Sequence, residues 1–326
     1  MLSTLAVEKL IENKICLAIM GPTASGKSGL SMALAQQFPI EVISVDSALI
    51  YRGMDIGTAK PTVDELKAVP HHLIDILEPT EQYSAADFIE DVTRLVAEIF
   101  QRGRLPVLVG GTMMYFNALQ QGIAQLPSAN PEIRQKIYQA WQQNPQAVHE
   151  KLQAIDPVAA NRIHANDSQR LVRALEVYEL TGQSLTEAQK AGKQTMLEAF
   201  QLAKVALLPE DRKQLHAKIA QRFQQILADG FLKEAERVFS DPGMHADLPA
   251  VRSVGYRQAW LFFEQVYDYD TFVEKSVVAT RQLAKRQMTW LRKESDLLTL
   301  DPFQLSIEQQ VETVIEYLQT FCGTPS

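Results

Sequence analysis

The chain is poor in the residues that build metal centres and covalent cross-links. It has two cysteines in 326 residues, Cys16 and Cys322, and neither belongs to a C-x-x-C pair. That argues against a zinc ribbon and against a disulfide framework. No apolar run approaches the ~18–20 residues that a membrane span needs. The first residues lack a basic stretch followed by a long apolar run, so no signal peptide is expected and the expected compartment is the cytoplasm. Positive charge is in deficit: 32 Lys and Arg face 39 Asp and Glu, a net charge of −7. This argues against whole-molecule attraction to nucleic acid but leaves room for a local basic groove. Repeats and low-complexity segments are absent. The 46% hydrophobic content allows a sizeable core, and the length suits two domains or one large α/β domain.

The most informative stretch present is Ile15-Cys-Leu-Ala-Ile-Met-Gly-Pro-Thr-Ala-Ser-Gly-Lys-Ser28. Ile15 to Met20 read as a buried strand. Gly21, Pro22, Thr23, Ala24, Ser25, Gly26, Lys27 and Ser28 then spell G-x-x-x-x-G-K-S. Leu30, Met32, Ala33 and Leu34 open a helix. Strand, glycine-rich loop and helix start appear in the order that a phosphate-binding loop needs. The glycines let backbone N–H groups converge, and the helix start adds partial positive charge. Lys27 is placed to reach a terminal phosphate, and the Ser28 hydroxyl to ligate Mg2+. The loop implies a bound diphosphate or triphosphate and leaves the reaction open.

Further buried strands are expected at 41–45, 71–77, 105–109 and 200–208. The second ends at Asp46, on the carboxyl rim where open parallel sheets bind ligands. Asp46 there is a site residue or a helix cap. The pair His71-His72 is not read as metal-binding, because adjacent strand residues face opposite ways. The strand at 105–109 ends in Gly110-Gly111-Thr112, where many P-loop ATPases place a Mg2+-binding aspartate. The glycines fit close ligand approach or a tight turn equally well. An amphipathic helix is expected over 84–102. Between about 126 and 197 the strand signal disappears. Pro131, Pro145 and Pro157 separate expected helices at 131–142, 145–154, 157–164, 167–181 and 184–191, an all-helical insertion. The expected fold is α/β: a P-loop NTPase-like parallel sheet flanked by helices, built from residues 1–125 and 198–326, with residues 126–197 inserted.

Basic residues cluster late. Arg252-Ser-Val-Gly-Tyr-Arg257 surrounds a glycine. A helix expected over 270–294 carries Arg281, Lys285, Arg286, Arg292 and Lys293, with no acid between 281 and 293. A solvated face would explain such a run. In a net-acidic chain, with Tyr256 and Trp290 nearby, phosphate contact and base stacking fit better. Arg170 and Arg173 share a face of the helix at 167–181, where Glu176 and Glu179 could equally neutralise them.

Taken together, the motifs resemble one family. They are residues 21–28, Ser-Val-Asp-Ser-Ala-Leu-Ile-Tyr (44–51), Gly-Met-Asp-Ile-Gly-Thr-Ala-Lys-Pro (53–61), Val-Gly-Gly-Thr-Met-Met-Tyr (109–115), Asp-Ser-Gln-Arg-Leu-Val-Arg-Ala-Leu-Glu (167–176), Arg-Ser-Val-Gly-Tyr-Arg-Gln (252–258) and Thr-Arg-Gln-Leu-Ala-Lys-Arg-Gln-Met-Thr-Trp-Leu-Arg (280–292). The chain looks like the tRNA dimethylallyltransferases, also called tRNA isopentenyltransferases. Two cysteines are too few for the zinc finger of eukaryotic members, so it is similar to the bacterial form. The resemblance implies transfer of a dimethylallyl group from dimethylallyl diphosphate to N6 of the adenine 3′ of the anticodon, in tRNAs reading codons that begin with U. It implies Mg2+ on Ser28, and Asp46, Thr112, Lys27 and Arg222 as catalytic residues, with Arg222 also on the diphosphate beside residues 21–28. It places tRNA contacts at Asp46, Ser47, Ala48, Leu49, Thr112, Gln169, Arg170, Leu171, Val172, Arg173, Arg252, Ser253, Val254, Gly255, Tyr256, Arg257, Lys285, Arg286, Gln287 and Arg292. Arg134 is a further contact by position only. The insertion is expected to close over the anticodon stem-loop, with a monomer as the working unit. A P-loop nucleotide or metabolite kinase is the alternative, and an RNA-binding module with a relic loop is a second.

Overall fold

The computed structural model describes residues 4–124, 126–190, 193–194 and 199–323. The chain divides into two compact units, Met1–Phe116 with Leu197–Ser326, and Asn117–Met196. In the first, α1 (Thr4–Glu12), β1 (Ile15–Met20), α2 (Lys27–Ala35), β2 (Ile40–Val45), α3 (Val63–Ala68), β3 (His71–His72), α4 (Ala85–Gln101) and β4 (Leu105–Gly110) follow in order, and α5 (Met113–Gln121) crosses the divide. The second holds β5 (Ile123–Ala124), α6 (Pro131–Gln143), α7 (Pro145–Ile155), α8 (Pro157–Ala160), α9 (Ser168–Thr181), α10 (Leu185–Lys190) and β6 (Lys193–Gln194). The chain then resumes the first unit with β7 (Gln201–Leu207), α11 (Arg212–Ala228), α12 (Phe231–Phe239), α13 (Tyr256–Phe263), α14 (Tyr269–Leu291), β8 (Leu297–Leu300) and α15 (Ile307–Gln319).

Six strands form one parallel sheet in the order β3-β2-β4-β1-β7-β8. All residues of β1 and β2 are buried, as expected for parallel strands covered on both faces. One core cluster joins Ile15, Leu17 and Ile19 to Leu10 of α1, Leu30 and Leu34 of α2, and Val314 and Leu318 of α15. Around β1 the sheet changes direction: β4 and β2 lie to one side, β7 and β8 to the other. That is where open α/β sheets form a crevice at their carboxyl ends.

Several expectations need correction. The strand expected over 71–77 stops after His72, because Leu73 and Asp75 take left-handed backbone angles, φ 59° and 55°. His72 instead meets Glu41 at 2.7 Å, and Glu41 also accepts from Arg102. The insertion is not all helical either. β5 and β6 pair antiparallel within the second unit, and the helix expected over 157–164 ends at Ala160. The contact boundary at Asn117 lies before the limit expected at 126. The limits set at 125, 197 and 198, and the last residue of the helix expected over 184–191, lie outside the described residues.

The three prolines do open helices, each preceded by a side chain that caps the first turn: Asn130, Asn144 and Asp156. The core of this unit gathers Ile137, Val148, Leu152, Leu171, Val172 and Leu175. Asp156 is buried and holds two helix starts at once. Its oxygens accept from Ala159 N–H at 2.9 Å, Thr186 N–H at 2.8 Å and the Thr186 hydroxyl at 2.7 Å. Burial alone would raise its pKa, but these bonds outweigh burial and hold the carboxyl below its usual range. Stability from a depressed carboxylate is present above its unfolded pKa and is lost as pH falls. Asp156→Ala should therefore lower the stability of this unit by ~2–4 kcal/mol near neutral pH, the scale of orphaned buried donors and a lost cap. The deficit should shrink below about pH 4. Hydrogen exchange across residues 131–190, compared between pH 7 and pH 3, measures both effects.

Candidate active site at the carboxyl rim of the sheet

The loop between β1 and α2 carries its strain openly. Gly26 sits at φ 91° and Ala24 at φ 63°, a region that only glycine enters without cost. Lys27 folds back, its ammonium donating to the Gly21 carbonyl at 3.0 Å and the Pro22 carbonyl at 2.8 Å. Lys27 keeps some surface on the cavity, but its ammonium is shielded from bulk water. Desolvation pulls its pKa down to about 8; Asp46 opposes the shift and Arg222 adds to it. Arg222 projects from α11 into the same cavity and is also shifted down by desolvation, against the field of Asp46. A guanidinium stays charged regardless. The Ser25 hydroxyl is buried with no partner among the described residues.

The cavity encloses about 350 Å³, within the range of small-ligand pockets. Its polar lining includes Thr23, Gly26, Lys27, Ser28, Asp46 and Arg222. Its apolar lining includes Ile219, Phe223 and Ile226 of α11, Phe231 of α12 and Leu283 of α14. Asp46 is half-buried, and its Oδ1 accepts from Ala48 N–H at 2.9 Å. It thus shapes a local turn and lines the cavity; no helix begins here, so the capping reading is not met. Thr112 ties that turn to the end of β4. Its N–H donates to Val45 O at 3.1 Å and its Oγ1 accepts from Ser47 N–H at 3.1 Å. The glycines before it are crowded by the protein itself. A Cβ on Gly110 would lie 2.0 Å from Val45 O, and one on Gly111 2.3 Å from Gln287 Nε2. The donors that could hold a cation are the Ser28 hydroxyl and the Asp46 carboxylate, both hard oxygens. Such a set suits Mg2+ that keeps waters and phosphate oxygens as its remaining ligands. Among the described residues no cluster of three or more His, Cys, Asp or Glu could hold a metal.

The loop at 54–60 reads from its residues as one feeding a substrate pocket, and Gly57, Thr58 and Ala59 do line the cavity; what sequence reasoning missed is the carboxylate that holds it. Glu234 of α12 is buried and accepts from Asp55, Ile56 and Gly57 N–H at 2.8, 2.7 and 2.9 Å. The Tyr256 hydroxyl donates to it as well. Gly57, Thr58 and Ala59 face the cavity, as do Ser253, Val254 and Gly255. The apolar wall did carry a signal: Ile219, Phe223 and Ile226 follow helical spacing.

Several residues expected on tRNA are occupied internally. Tyr256 is fully buried, edge-on to Phe231 at 5.0 Å, so its ring is no stacking platform. Gln287 is buried against the phosphate loop. Leu171 and Val172 belong to the core of the second unit. Arg134 and Arg173 both bind the fully buried Glu176, at 3.0 and 2.6 Å. That is the neutralising alternative, which Arg173 meets through Glu176 and not Glu179. Arg252 pairs with Asp247 at 3.0 Å, and Arg257 donates to Ala246 O. Gln169 and Arg170 are exposed, the latter paired with Asp167. Lys285 and Arg286 on α14, and Arg292 just past its end, are exposed, and Trp290 beside them is 44% exposed.

A family model described as IPP transferase matches residues 49–294. The chain is 72% identical over 317 residues to a tRNA dimethylallyltransferase of Hydrogenovibrio crunogenus, covering 97% of this chain and 98% of that one. It is 53% identical over 279 residues to that of Alkalilimnicola ehrlichii, covering 85% and 87%. Among solved structures it is similar to the tRNA isopentenylpyrophosphate transferase of Bacillus halodurans, with TM-score 0.69, 35% identity and coverage of 95% and 97%. It is also similar to a eukaryotic dimethylallyltransferase captured acting on tRNA, with TM-score 0.75, 25% identity and coverage of 93% and 78%. The parallel sheet, the phosphate-type loop at its switch point and these matches converge: the chain belongs to the IPP transferase family.

Proposed function

We propose that the chain transfers the dimethylallyl group of dimethylallyl diphosphate to N6 of the adenine 3′-adjacent to the anticodon, in tRNAs reading codons that begin with U. One observation carries the reading. A cationic cradle, a carboxylate and an apolar wall share a single cavity, which are the parts a prenyl diphosphate and an amine nucleophile require. The matched relatives, tRNA dimethylallyltransferases, favour this over the kinase alternative. A tRNA substrate places the reaction in the cytoplasm.

In the reaction the C1–O bond to the diphosphate breaks and a C1–N6 bond forms. The bonding pair leaves with the diphosphate, and N6 gives up a proton. The adenine amine is a poor nucleophile, because its lone pair is delocalised into the ring. Asp46 is the base that takes the proton. Lys27, Arg222 and the loop N–H groups stabilise charge on the departing diphosphate. Ser28 would hold Mg2+, which when bound adds positive charge at the leaving group. Thr112 holds the turn that carries Asp46. The adenine must leave its stack to enter the cavity. The exposed cations of α14 with Trp290, and Gln169 with Arg170 on the second unit, are the groups proposed to meet RNA.

Label transfer from radiolabelled dimethylallyl diphosphate to an unmodified anticodon stem-loop tests the reading, with loss of label expected when the target adenine is replaced. Asp46→Asn should keep stem-loop binding and slow transfer at least ~10²-fold, the usual scale of a lost general base. Turnover near that of the parent would remove Asp46 from the role. The lysine supplies a second test. Its ammonium form binds the anion, and that form is lost above about pH 8. Affinity for inorganic diphosphate should therefore fall as pH rises through about 8, and Lys27→Arg should flatten the profile, as calorimetry between pH 7 and 9.5 would register.

A further inference from the structure

Helix α14 presents two chemically different faces. Lys285, Arg286 and Arg292 are exposed. Ala284, Gln287, Met288 and Leu291 are buried at helical spacing. Gln287 is the polar member of that buried stripe. Its Oε1 accepts from Thr23 N–H at 3.0 Å, and its Nε2 donates to Gly111 O at 2.8 Å. The partners fix the amide orientation, since a backbone N–H must meet oxygen and a carbonyl must meet the NH2. One bond ends on the phosphate loop. The other ends on the residue before Thr112, whose hydroxyl holds the Asp46 turn. A carboxamide is suited to this bridge, because it carries a donor and an acceptor on one rigid plane without charge. The opposing glycine is equally specific: a Cβ on Gly111 would lie 2.3 Å from Nε2. Thr23, Gly111 and Gln287 all border the cavity.

We infer that Gln287 is a positioning residue for the diphosphate donor, joining the phosphate loop to the Gly111–Thr112 turn, and is not an RNA contact. The inference rests on the reading of the loop as the diphosphate site. With the bridge in place, Thr23 and the loop after it hold a binding geometry before the anion arrives. Without it, binding must also supply the ordering, and affinity falls.

The test compares two affinities in the full-length protein: inorganic diphosphate with Mg2+ by calorimetry, and an anticodon stem-loop by filter binding. Gln287→Met keeps the volume of the stripe and removes both bonds. Gly111→Ala leaves Gln287 in the chain and displaces its amide. Each should weaken diphosphate binding ~10-fold, the scale of one or two net hydrogen bonds, and leave stem-loop affinity within about twofold. In steady state the KM for the prenyl donor should rise while the KM for RNA stays put, a split that general loosening of the fold would not produce. Unchanged diphosphate affinity in both variants, or a loss confined to the stem-loop, overturns the inference. If the parent protein itself fails to bind diphosphate, the donor-site reading falls and takes this inference with it.

Discussion

A desolvated ammonium and a guanidinium share one cavity here, and the carboxylate of Asp46 opposes the shift of both. Two cations in such a setting repel, and burial penalises the lysine further. The protein answers with backbone dipoles: the Gly21 and Pro22 carbonyls accept from Lys27. That arrangement holds the lysine while leaving the cavity electropositive. An anion placed there would relieve the repulsion and draw on loop N–H groups already curled inward. The rest of the first unit works to keep these groups where they are.

That support is layered. The sheet sets the loop at its switch point, β1 being paired on both sides. The long helices α11 and α14 bring Arg222 and Gln287 from far along the chain. Behind them an aromatic cluster of Phe223, Phe231, Phe272 and Tyr256 fixes the wall that hydrocarbon would touch. Glu234 gathers three consecutive backbone N–H groups, a concentration of donors that a neutral acceptor would satisfy less well. Each support is polar where backbone must be held and apolar where substrate must be packed.

Much of this was legible from residues alone, for physical reasons. β1, β2, β4 and β7 are buried along most of their length, so they read as largely apolar runs, and the loop glycines stand out beside them. β3 showed only as an overlong run, since it pairs through two residues, and β8, largely half-exposed, did not show. The two-residue strands β5 and β6 are too short to carry any pattern. Helix α15 had a signal that was not used, Ser306 with Gln309 as a capping box ahead of Val311, Val314 and Leu318. The lysine, serine and aspartate that line the cavity were visible because each ends or follows a buried strand. The internal commitments of Tyr256 and Arg134 were not, because their partners lie elsewhere in the chain or are set by packing, whereas the Arg173–Glu176 pair, three residues apart on one helix, was among the alternatives the spacing offered. Gln287 is the instructive case. It was grouped with its basic neighbours because their segment resembles a tRNA-contacting motif, yet its spacing from Ala284, Met288 and Leu291 puts it on the apolar stripe.

The order of parts along the chain also bears on how the protein is made. Thr23 and Gln287 are 264 residues apart. At ordinary rates of translation the phosphate loop leaves the ribosome roughly 13–50 s before its brace exists. During most of that interval β1, central in the finished sheet, has no β7 beside it. It is then an edge: a fully apolar strand with one row of unpaired backbone groups. The second unit is synthesised in the same window, between β4 and β7. The stretch of translation from residue 110 to residue 201 is therefore when this chain is most open to mispairing, and when a chaperone covering that edge would do the most good.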